Sequence, residues 1–565
     1  MPATAPACPE LLLQLFFVPT TPTTALPNAH PEPAAGSPHS DDSARTARAA
    51  RAGRATRIRQ SGQHRLALTR WTGILISLGV LGALSRLLML QRPTDAGTPV
   101  FDEKHYVPQA WQMLQSWSNP LIGGIEDNPG YGLVVHPPLG KRLEALGMAV
   151  FGYTPWGWRI MSALLAVVAI LLIAAIARRI SKSDLVGLFA GIIALCDGIL
   201  FVTGRSAMLD HFQVFLICLA TYFIVRDAEQ MEARFQRVWA TNRIHDSAFG
   251  PRMGYRWWRF AAGIALGLSL SVKWNGLYYM AFFGVTIVAV DYFRRRRFGV
   301  RRPLAGTAVF DAVPSFFSIV IVPAIVYLIS WRAWFASETG VFRHAVESKQ
   351  YTDTTGDWFW SFLPDTVQNF IYYHVTVMRF HTELTNSNGH HHNWESKPWS
   401  WLVSSRSLMY YNPSSEEGIR KVILLVGTPA IWWFCVPAML WGLWCLITHK
   451  DRRWVVPVLG FAAGFLPWLF NLDRQMYLFY AANLVPFLAI ALAMAMGQLL
   501  RWERPGVAQP YSSPRAYLRA RPGQLVVVIY LMLVVWNFLY FLPIYTATPL
   551  SDSAFNMRIW LRSWL

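Results

Sequence analysis

The sequence predicts an all-α protein that crosses a membrane about eleven times. Of its 565 residues, 53% are hydrophobic and only 15% are charged, and the apolar residues come in long blocks. An ordinary soluble chain carries considerably more charge. The 26 Trp and 21 Tyr fit belts at the two membrane surfaces, where amphipathic rings settle at headgroup level.

The first predicted span covers residues 71–90, which contain Arg86 as their only charge. A helix needs roughly 20 residues to cross about 30 Å of hydrocarbon, so this block is long enough. Residues 1–68 are rich in Pro, Ala and Thr and then in Arg, and they predict a disordered basic tail that keeps the N-terminus cytoplasmic. Eight further spans are predicted near residues 158–177, 185–200, 207–225, 313–335, 422–447, 453–470, 477–499 and 523–543.

The remaining two spans come from residues 260–290, an apolar block that ends in four consecutive arginines, Arg294–Arg297. A single span here would place those arginines outside, against the positive-inside rule. Two short spans that turn at Lys273–Gly276 keep both basic flanks inside. This hairpin brings Lys273 to the outer face, where short helices need protein or a water-filled cavity around them.

Charge and cysteine content limit the class of protein. A net charge of +19 would suit a nucleic-acid partner in a soluble protein, but 32 of the 51 Lys and Arg lie in segments predicted to be cytoplasmic. This asymmetry indicates membrane topology instead. The five Cys have neither a disulfide-type nor a metal-type spacing. We therefore predict a multi-pass plasma-membrane protein in contact with lipid, with residues 91–156, residues 336–420 and the C-terminus outside.

The outer segment 91–156 contains an acidic pair, Asp102 and Glu103, shortly after the first span. Two adjacent carboxylates near a membrane surface can serve as a general base, as cation ligands or as a solvated turn. The pair alone does not decide between these interpretations.

Other ionisable residues lie near predicted span ends or in the outer segments, where charge close to hydrocarbon usually has a function. Some of them are expected to pair with each other or to snorkel. The run His390–His392 has the residue type of a zinc site but no completing ligand, so no metal site is predicted. The predicted substrate-binding residues are His136, Lys141, Arg159, Arg205, Asp210, Lys273, His381, Glu383 and Arg474.

A carboxylate pair and several cations facing one side of a membrane suit a reaction between a lipid-linked phosphate donor and a neutral nucleophile. The base takes the proton of the nucleophile, and the cations stabilise the departing phosphate. A transporter is the rival class, but transporters often show internal repeats and midplane charges, and no repeat is evident here.

Five sequence stretches together resemble the protein O-mannosyltransferases, membrane glycosyltransferases of the GT-C type. The resemblance extends over residues 70–565 and implies an eleven-span GT-C fold. It implies transfer of mannose, with inversion, from polyprenyl-phosphate mannose to Ser or Thr of a protein crossing the membrane. The matching stretches are Phe101–Glu103, His136–Lys141, Gly267–Trp274, Phe380–Leu384 and Glu395–Trp399.

The resemblance also implies roles for individual residues. Asp102 would be the general base, with Glu103 positioning the acceptor or Asp102 itself. Arg159, Lys273 and Arg474 would be the cations on the phosphate side. No cofactor follows from the sequence, and a divalent cation is compatible with the acidic pair but unsupported.

One departure from the family concerns the large outer loop. Eukaryotic members carry a β-trefoil (MIR) domain there, for which residues 336–420 are too few. The chain therefore resembles the shorter bacterial type, in which acceptor selection rests on the membrane core, on this loop or on a Sec translocon partner. A GT-C enzyme that adds sugar to a lipid or polysaccharide remains the alternative.

Overall fold

The computed structural model describes residues 69–126, 134–348, 360–413, 418–501 and 520–565. The chain divides into two compact units, residues 1–77 and residues 78–565. In the first unit, residues 69–77 are helical. The predicted basic tail, residues 1–68, lies outside the described residues.

The second unit is mostly helical because its long apolar blocks satisfy their backbone hydrogen bonds within each segment, as hydrocarbon requires. Its first helix, α1, covers residues 78–87. The others are α2 (Glu103–Gln115), α3 (Leu139–Phe151), α4 (Pro155–Ser181), α5 (Asp184–Leu195), α6 (Gly198–Thr203), α7 (Leu209–Ala240), α8 (Trp257–Leu270), α9 (Gly276–Arg297), α10 (Pro303–Ser330), α11 (Arg332–Ala336), α12 (Asp365–Glu383), α13 (Pro398–Trp401), α14 (Pro429–Ile447), α15 (Arg452–Phe470), α16 (Leu478–Leu499), α17 (Pro522–Tyr545) and α18 (Asp552–Asn556).

Within the described residues, eight helices are long and apolar enough to cross a membrane: α4, α7, α9, α10, α14, α15, α16 and α17. The protein is therefore a polytopic, predominantly α-helical membrane protein, as the composition predicts. The other three predicted spans fall on residues 71–90, on α5 with α6, and on α8. The count of eleven and the orientation remain predictions.

The predicted hairpin is present as α8 and α9, which are separated by residues 271–275. The turn closes through hydrogen bonds from the amides of Lys273 and Gly276 to the carbonyls of Ser269 and Lys273, at 3.2 and 3.1 Å. A Cβ on Gly276 would lie 2.9 Å from the backbone nitrogen of Leu270. Only glycine therefore allows α9 to begin this close to the end of α8.

At the other end of the hairpin, a buried ion network joins α7, α8 and α9. Arg256 and Arg259 each contact Asp227 and Asp291, with Arg259 Nη2 at 3.0 and 2.7 Å from the two carboxylates. A buried charge is tolerated only when it is paired in this way. The network fixes one end of the hairpin while the turn at Lys273 lies at the other.

Two predicted boundaries need correction. The predicted span 185–200 is not one helix, because Asp197 interrupts it and caps α6 by accepting a hydrogen bond from the amide of Leu200 at 2.9 Å. The predicted span 422–447 begins with a strand, Ile423–Leu425, and its helix starts at Pro429.

The segment 336–420 has regular structure as well as loops. Besides α12, it holds strand β1 (Leu408–Tyr411), which pairs antiparallel with β3 (Ile423–Leu425). Strand β2 (Ile419–Arg420) pairs antiparallel with β4 (Leu550–Ser551), close to the C-terminus. These two short sheets are a small β contribution to a helical fold.

Candidate active site

A cavity of about 650 Å³ lies beside the α8–α9 turn. Its walls come from the start of α2, the turn itself, α12 and residues 468–480, so distant parts of the chain meet here. The polar residues that line it are Asp102, Tyr106, His136, Lys273, Trp274, Asn275, Tyr278, Tyr327, His374, His381, Trp468, Arg474, Gln475, Tyr477 and Tyr480. Five of the eleven residues predicted from the sequence are among them.

Asp102 lies on the cavity wall immediately before α2. The preceding residue, Phe101, has a left-handed backbone with a φ of 53°, a conformation uncommon for a bulky residue. Its ring stacks on Tyr410 at 4.3 Å, which holds this conformation in place. Burial raises the pKa of Asp102 to about 6, although Lys273 and His105 act to lower it. The carboxyl group is thus a stronger base than a solvated aspartate.

Glu103 is not on the cavity. It is buried, and both its oxygens bind the Arg159 guanidinium at 2.7 Å. The amides of Ala207 and Val100 also donate to it, at 2.9 and 3.1 Å. Glu103 therefore connects the start of α2 to α4, directly beside Asp102. Arg159 is occupied by its ion pair with Glu103.

Lys273 reaches the cavity from the turn, and its Nζ lies 2.7 Å from Asp210 Oδ2 on α7. The ammonium also lies over the ring of Phe479, 5.2 Å from the centroid. Asp210 is buried, and its other oxygen, Oδ1, has no partner among the described residues. Asp210 therefore acts on the cavity through Lys273.

Arg474 is the second cation of the cavity. Its guanidinium lies over Trp468 and Tyr480, at 5.5 and 5.7 Å, and these two rings stack at 4.5 Å. Nη2 lies 3.1 Å from His381 Nδ1, while Nε is buried and unpartnered among the described residues. Because Arg474 lines the cavity, its guanidinium is suited to an anion there.

Both cations lie on one aromatic shelf, which we define as Trp468, Phe479 and Tyr480. Phe479 meets Tyr480 edge to face at 4.8 Å and meets Phe101 at 6.4 Å. The shelf therefore fixes the positions of Lys273 and Arg474 relative to Asp102.

The two predicted histidines on the cavity are uncharged near neutral pH. Burial lowers the pKa of His381 to about 4, with Arg474 acting in the same direction. Burial and the nearby Lys273 lower the pKa of His136 well below its usual range. Their rings stack at 5.9 Å, so they offer neutral hydrogen-bonding groups and leave the positive charge to Lys273 and Arg474.

Three other predicted residues lie away from the cavity. Lys141 is buried and paired with Glu126. Arg205 donates to the carbonyls at the end of α1, including Arg86 O at 2.8 Å, and so caps that helix. Glu383 is 61% exposed, and its carboxylate lies 4.0 Å from Arg379.

Several cavity residues were not predicted from the sequence, in particular Tyr106, Tyr327 and the shelf. Trp274 Nε1 donates to Tyr327 Oη at 3.0 Å, and that hydroxyl lies 2.7 Å from His374 Nε2. Because the chain has 81 aromatic residues, an aromatic at a span end is not distinctive. A stronger signal was the position of Trp274 directly after Lys273.

Within the described ranges, no group of three His, Cys, Asp or Glu is arranged to hold a metal ion. The run His390–His392 belongs to no such group. The positive charge on the described cavity wall comes from Lys273 and Arg474.

Comparison with known proteins places the chain in a family. A model of the C-terminal four-transmembrane region of protein O-mannosyltransferase matches residues 366–564, and a dolichyl-phosphate-mannose–protein mannosyltransferase model matches residues 135–241. A polyprenol-phosphate-mannose–protein mannosyltransferase of Corynebacterium glutamicum is 50% identical over 492 residues, 86% of this chain and 92% of that protein. The chain belongs to the protein O-mannosyltransferase family.

This membership confirms the resemblance seen in the sequence, and the chain is a membrane glycosyltransferase. A second O-mannosyltransferase relative, from Mycobacterium tuberculosis, is 42% identical over 491 residues, 86% of this chain and 90% of that protein. The structure of the Saccharomyces cerevisiae O-mannosyltransferase Pmt1–Pmt2 complex bound to the sugar donor superposes with a TM-score of 0.65. The superposition covers 88% of this chain and 93% of the yeast chain at 16% sequence identity, so the two chains share a fold.

The cavity residues come from inside and outside the segments that the O-mannosyltransferase models match. His136 lies in the 135–241 segment, together with Asp210, the partner of Lys273, and His381 and Arg474 lie in the 366–564 segment. Asp102 and Lys273 lie outside both segments, and the fold brings them to the same cavity.

Proposed function

We propose that the protein transfers mannose from polyprenol-phosphate mannose to Ser or Thr hydroxyls of secreted proteins, with Asp102 as the general base. The donor and the type of acceptor are those in the names of the bacterial relatives. The observation that carries the proposal is the arrangement of one acid and two cations around a single cavity, with both cations on one aromatic shelf.

The proposed reaction is a single displacement at the anomeric carbon. Asp102 accepts the proton of the acceptor hydroxyl as its oxygen forms a bond to that carbon. The bond from the anomeric carbon to the phosphate oxygen breaks, and polyprenyl phosphate leaves with the electron pair. Lys273 and Arg474 stabilise the negative charge on the phosphate. The configuration at the anomeric carbon is inverted, and Asp102 then releases its proton to water.

Glu103 and Arg159 have a positioning role in this proposal. Their buried pair holds the first turn of α2 and therefore the backbone of Asp102. This refines the predicted roles, because Arg159 then acts on the acid side of the reaction and not on the phosphate. Asp210 similarly orients Lys273.

The proposed location is the plasma membrane, with the cavity on the extracytoplasmic face. The positive-inside asymmetry supports this orientation. Acceptors then meet the cavity as they leave the membrane, so a Sec-type translocon is a proposed partner. Residues 336–420 supply α12, one wall of the cavity, and are proposed to contribute to acceptor selection.

The proposal is tested by a transfer assay with the purified enzyme, labelled polyprenyl-phosphate mannose, and either a Ser/Thr-rich peptide or a glycolipid as acceptor. We expect label on the peptide hydroxyls. We expect Asp102→Asn to lower the rate by about a hundredfold or more, the usual contribution of a general base. Asp95→Asn, which changes an exposed acid in the same outer segment, is the matched control.

Two results would contradict the proposal. Labelling of the glycolipid in place of the peptide would favour the alternative acceptor class. Full activity of Asp102→Asn would remove this residue from the role of base.

A further inference from the structure

Lys273 is held at two places by the same helix. Its ammonium pairs with Asp210 at 2.7 Å, and its main-chain carbonyl accepts a hydrogen bond from Gln213 Nε2 at 2.9 Å. Asp210 and Gln213 are one helical turn apart on α7 and therefore face the same side. One turn of α7 thus binds both the main-chain carbonyl and the ammonium group of Lys273.

Gln213 is in turn held by Asn483, whose Nδ2 donates to Gln213 Oε1 at 2.9 Å. The chemistry fixes the orientation of both amides. The Lys273 carbonyl only accepts, so Gln213 must present its amide nitrogen there. Its oxygen then faces Asn483, which must donate. The main-chain carbonyl of Asn483 accepts a hydrogen bond from Tyr279 Oη at 3.0 Å, whereas the side-chain Oδ1 of Asn483 has no partner among the described residues.

This chain of amides is fully enclosed. Gln213 has no exposed surface and Asn483 is 3% exposed. Buried amides of this kind rigidify a structure when they are satisfied and are costly when they lose a partner. Asn483 lies only three residues after Tyr480, a member of the aromatic shelf that supports Arg474. The chain therefore links the α8–α9 turn to the segment beside the second cation.

We infer that Gln213 and Asn483 are positioning residues that set the place of Lys273 relative to Arg474, so that both cations reach the phosphate of the lipid donor. The inference rests on the proposed function, in which Lys273 contacts that phosphate. Neither Gln213 nor Asn483 lines the cavity, so each acts through Lys273. Misplacing a binding group by about 1 Å can cost about a hundredfold in rate.

The test is the affinity of the purified full chain for polyprenyl phosphate, measured by competition with labelled donor. Gln213→Met keeps the volume and removes the side-chain hydrogen bonds to Lys273, Ser269 and Asn483. We expect the Kd to rise about tenfold or more. Asn483→Leu removes only the support of Gln213 and should give a smaller rise. The KM for the acceptor peptide should stay unchanged in both variants, because neither substituted residue lines the cavity.

A double-mutant cycle separates positioning from general packing. Lys273→Gln should weaken polyprenyl phosphate binding, and adding Gln213→Met to it should weaken binding no further. The matched control is Asn537→Leu, which removes a buried amide that accepts a hydrogen bond from the amide of Ala430 at 2.9 Å, away from the cavity. It should lower the melting temperature without changing the Kd.

The outcomes discriminate between the two proposals. If Lys273→Gln weakens binding and Gln213→Met does not, the positioning inference is overturned and the proposed function stands. Additive losses in the double variant overturn it as well. If Lys273→Gln leaves the Kd unchanged, the role of Lys273 in the proposed function fails, and the inference fails with it. Should Gln213→Met not fold, Asn483→Leu carries the same cycle.

Discussion

At the scale of residues, the neighbouring carboxylates Asp102 and Glu103 have different environments. Asp102 faces a cavity in which burial raises its pKa, whereas Glu103 is enclosed by Arg159 and two amides. Successive residues at the start of a helix point about 100° apart, so one can face the cavity while the other faces α4. Asp102 is thus the candidate base, and Glu103 anchors the start of α2 through its ion pair with Arg159.

The pKa of Asp102 predicts a pH dependence of the transfer reaction. A general base must be ionised, and the pKa of this carboxyl is raised to about 6. We expect kcat/KM to be constant above that pH and to fall about tenfold per pH unit below it. The measurement is a pH profile with subsaturating donor. Lys273→Gln should move the falling limb to higher pH, because Lys273 lowers the pKa of Asp102. A profile that is flat down to pH 4.5 would contradict this assignment.

The environment of Glu103 predicts a loss of stability. Removing one partner of a buried ion pair leaves an uncompensated charge, here Arg159, and costs about 3–5 kcal/mol. We expect Glu103→Ala to lower the free energy of unfolding by about that amount, as measured by denaturant unfolding in detergent. Asp95→Ala, at an exposed site, should change it by less than about 0.5 kcal/mol. A loss below about 1 kcal/mol for Glu103→Ala would show that the pair is not structurally important.

At the scale of elements, the α8–α9 hairpin delivers Lys273 to the cavity. The break between α8 and α9 coincides with the turn that the positive-inside rule predicts. Gly276 allows the two helices to approach each other closely there. The ion network of Arg256 and Arg259 lies at the opposite end of the hairpin. Four consecutive arginines also end α9 on that side, at Arg294–Arg297.

This geometry predicts the orientation of the hairpin in the membrane. A reporter fused after Arg297 should be active in the cytoplasm, because the positive-inside rule places the four arginines there. A reporter fused after Asn388, in the 336–420 segment, should instead be active outside. An external signal after Arg297 would reverse the hairpin and move Lys273 to the cytoplasmic face.

At the scale of the whole molecule, the cavity combines residues from position 102 to position 480. Asp102 is the one carboxylate on its described wall, since Glu103 and Asp210 lie behind it. The two-step retaining mechanism of glycosidases uses two carboxyl groups about 5–5.5 Å apart, one of them as the nucleophile. A single carboxylate on the described wall fits the proposed single displacement, in which it acts as the base.

This arrangement predicts the stereochemistry of the product. The mannosyl linkage on the peptide should have the anomeric configuration opposite to that of the donor phosphate. NMR of the glycopeptide, through the one-bond C–H coupling at the anomeric carbon, measures it directly. Retention of configuration would exclude the proposed displacement.

The sequence alone determined the membrane class, the hairpin and the family resemblance, because hydrocarbon imposes long apolar helices and the motifs are local in the chain. It also singled out Asp102, from the acidic pair after the first span, and Lys273 and Arg474, from charges near span ends, where charge is unusual. The sequence could not separate these from Lys141, Arg205 and Glu383, since all are ionisable residues near predicted span ends or in outer segments. Only the tertiary structure decided which of them meet. Lys141 is paired with Glu126, Arg205 donates to the α1 carbonyls, and Glu383 is exposed to solvent, so none of the three reaches the cavity. The aromatic shelf, in contrast, holds Lys273 and Arg474 at the cavity that Asp102 also lines.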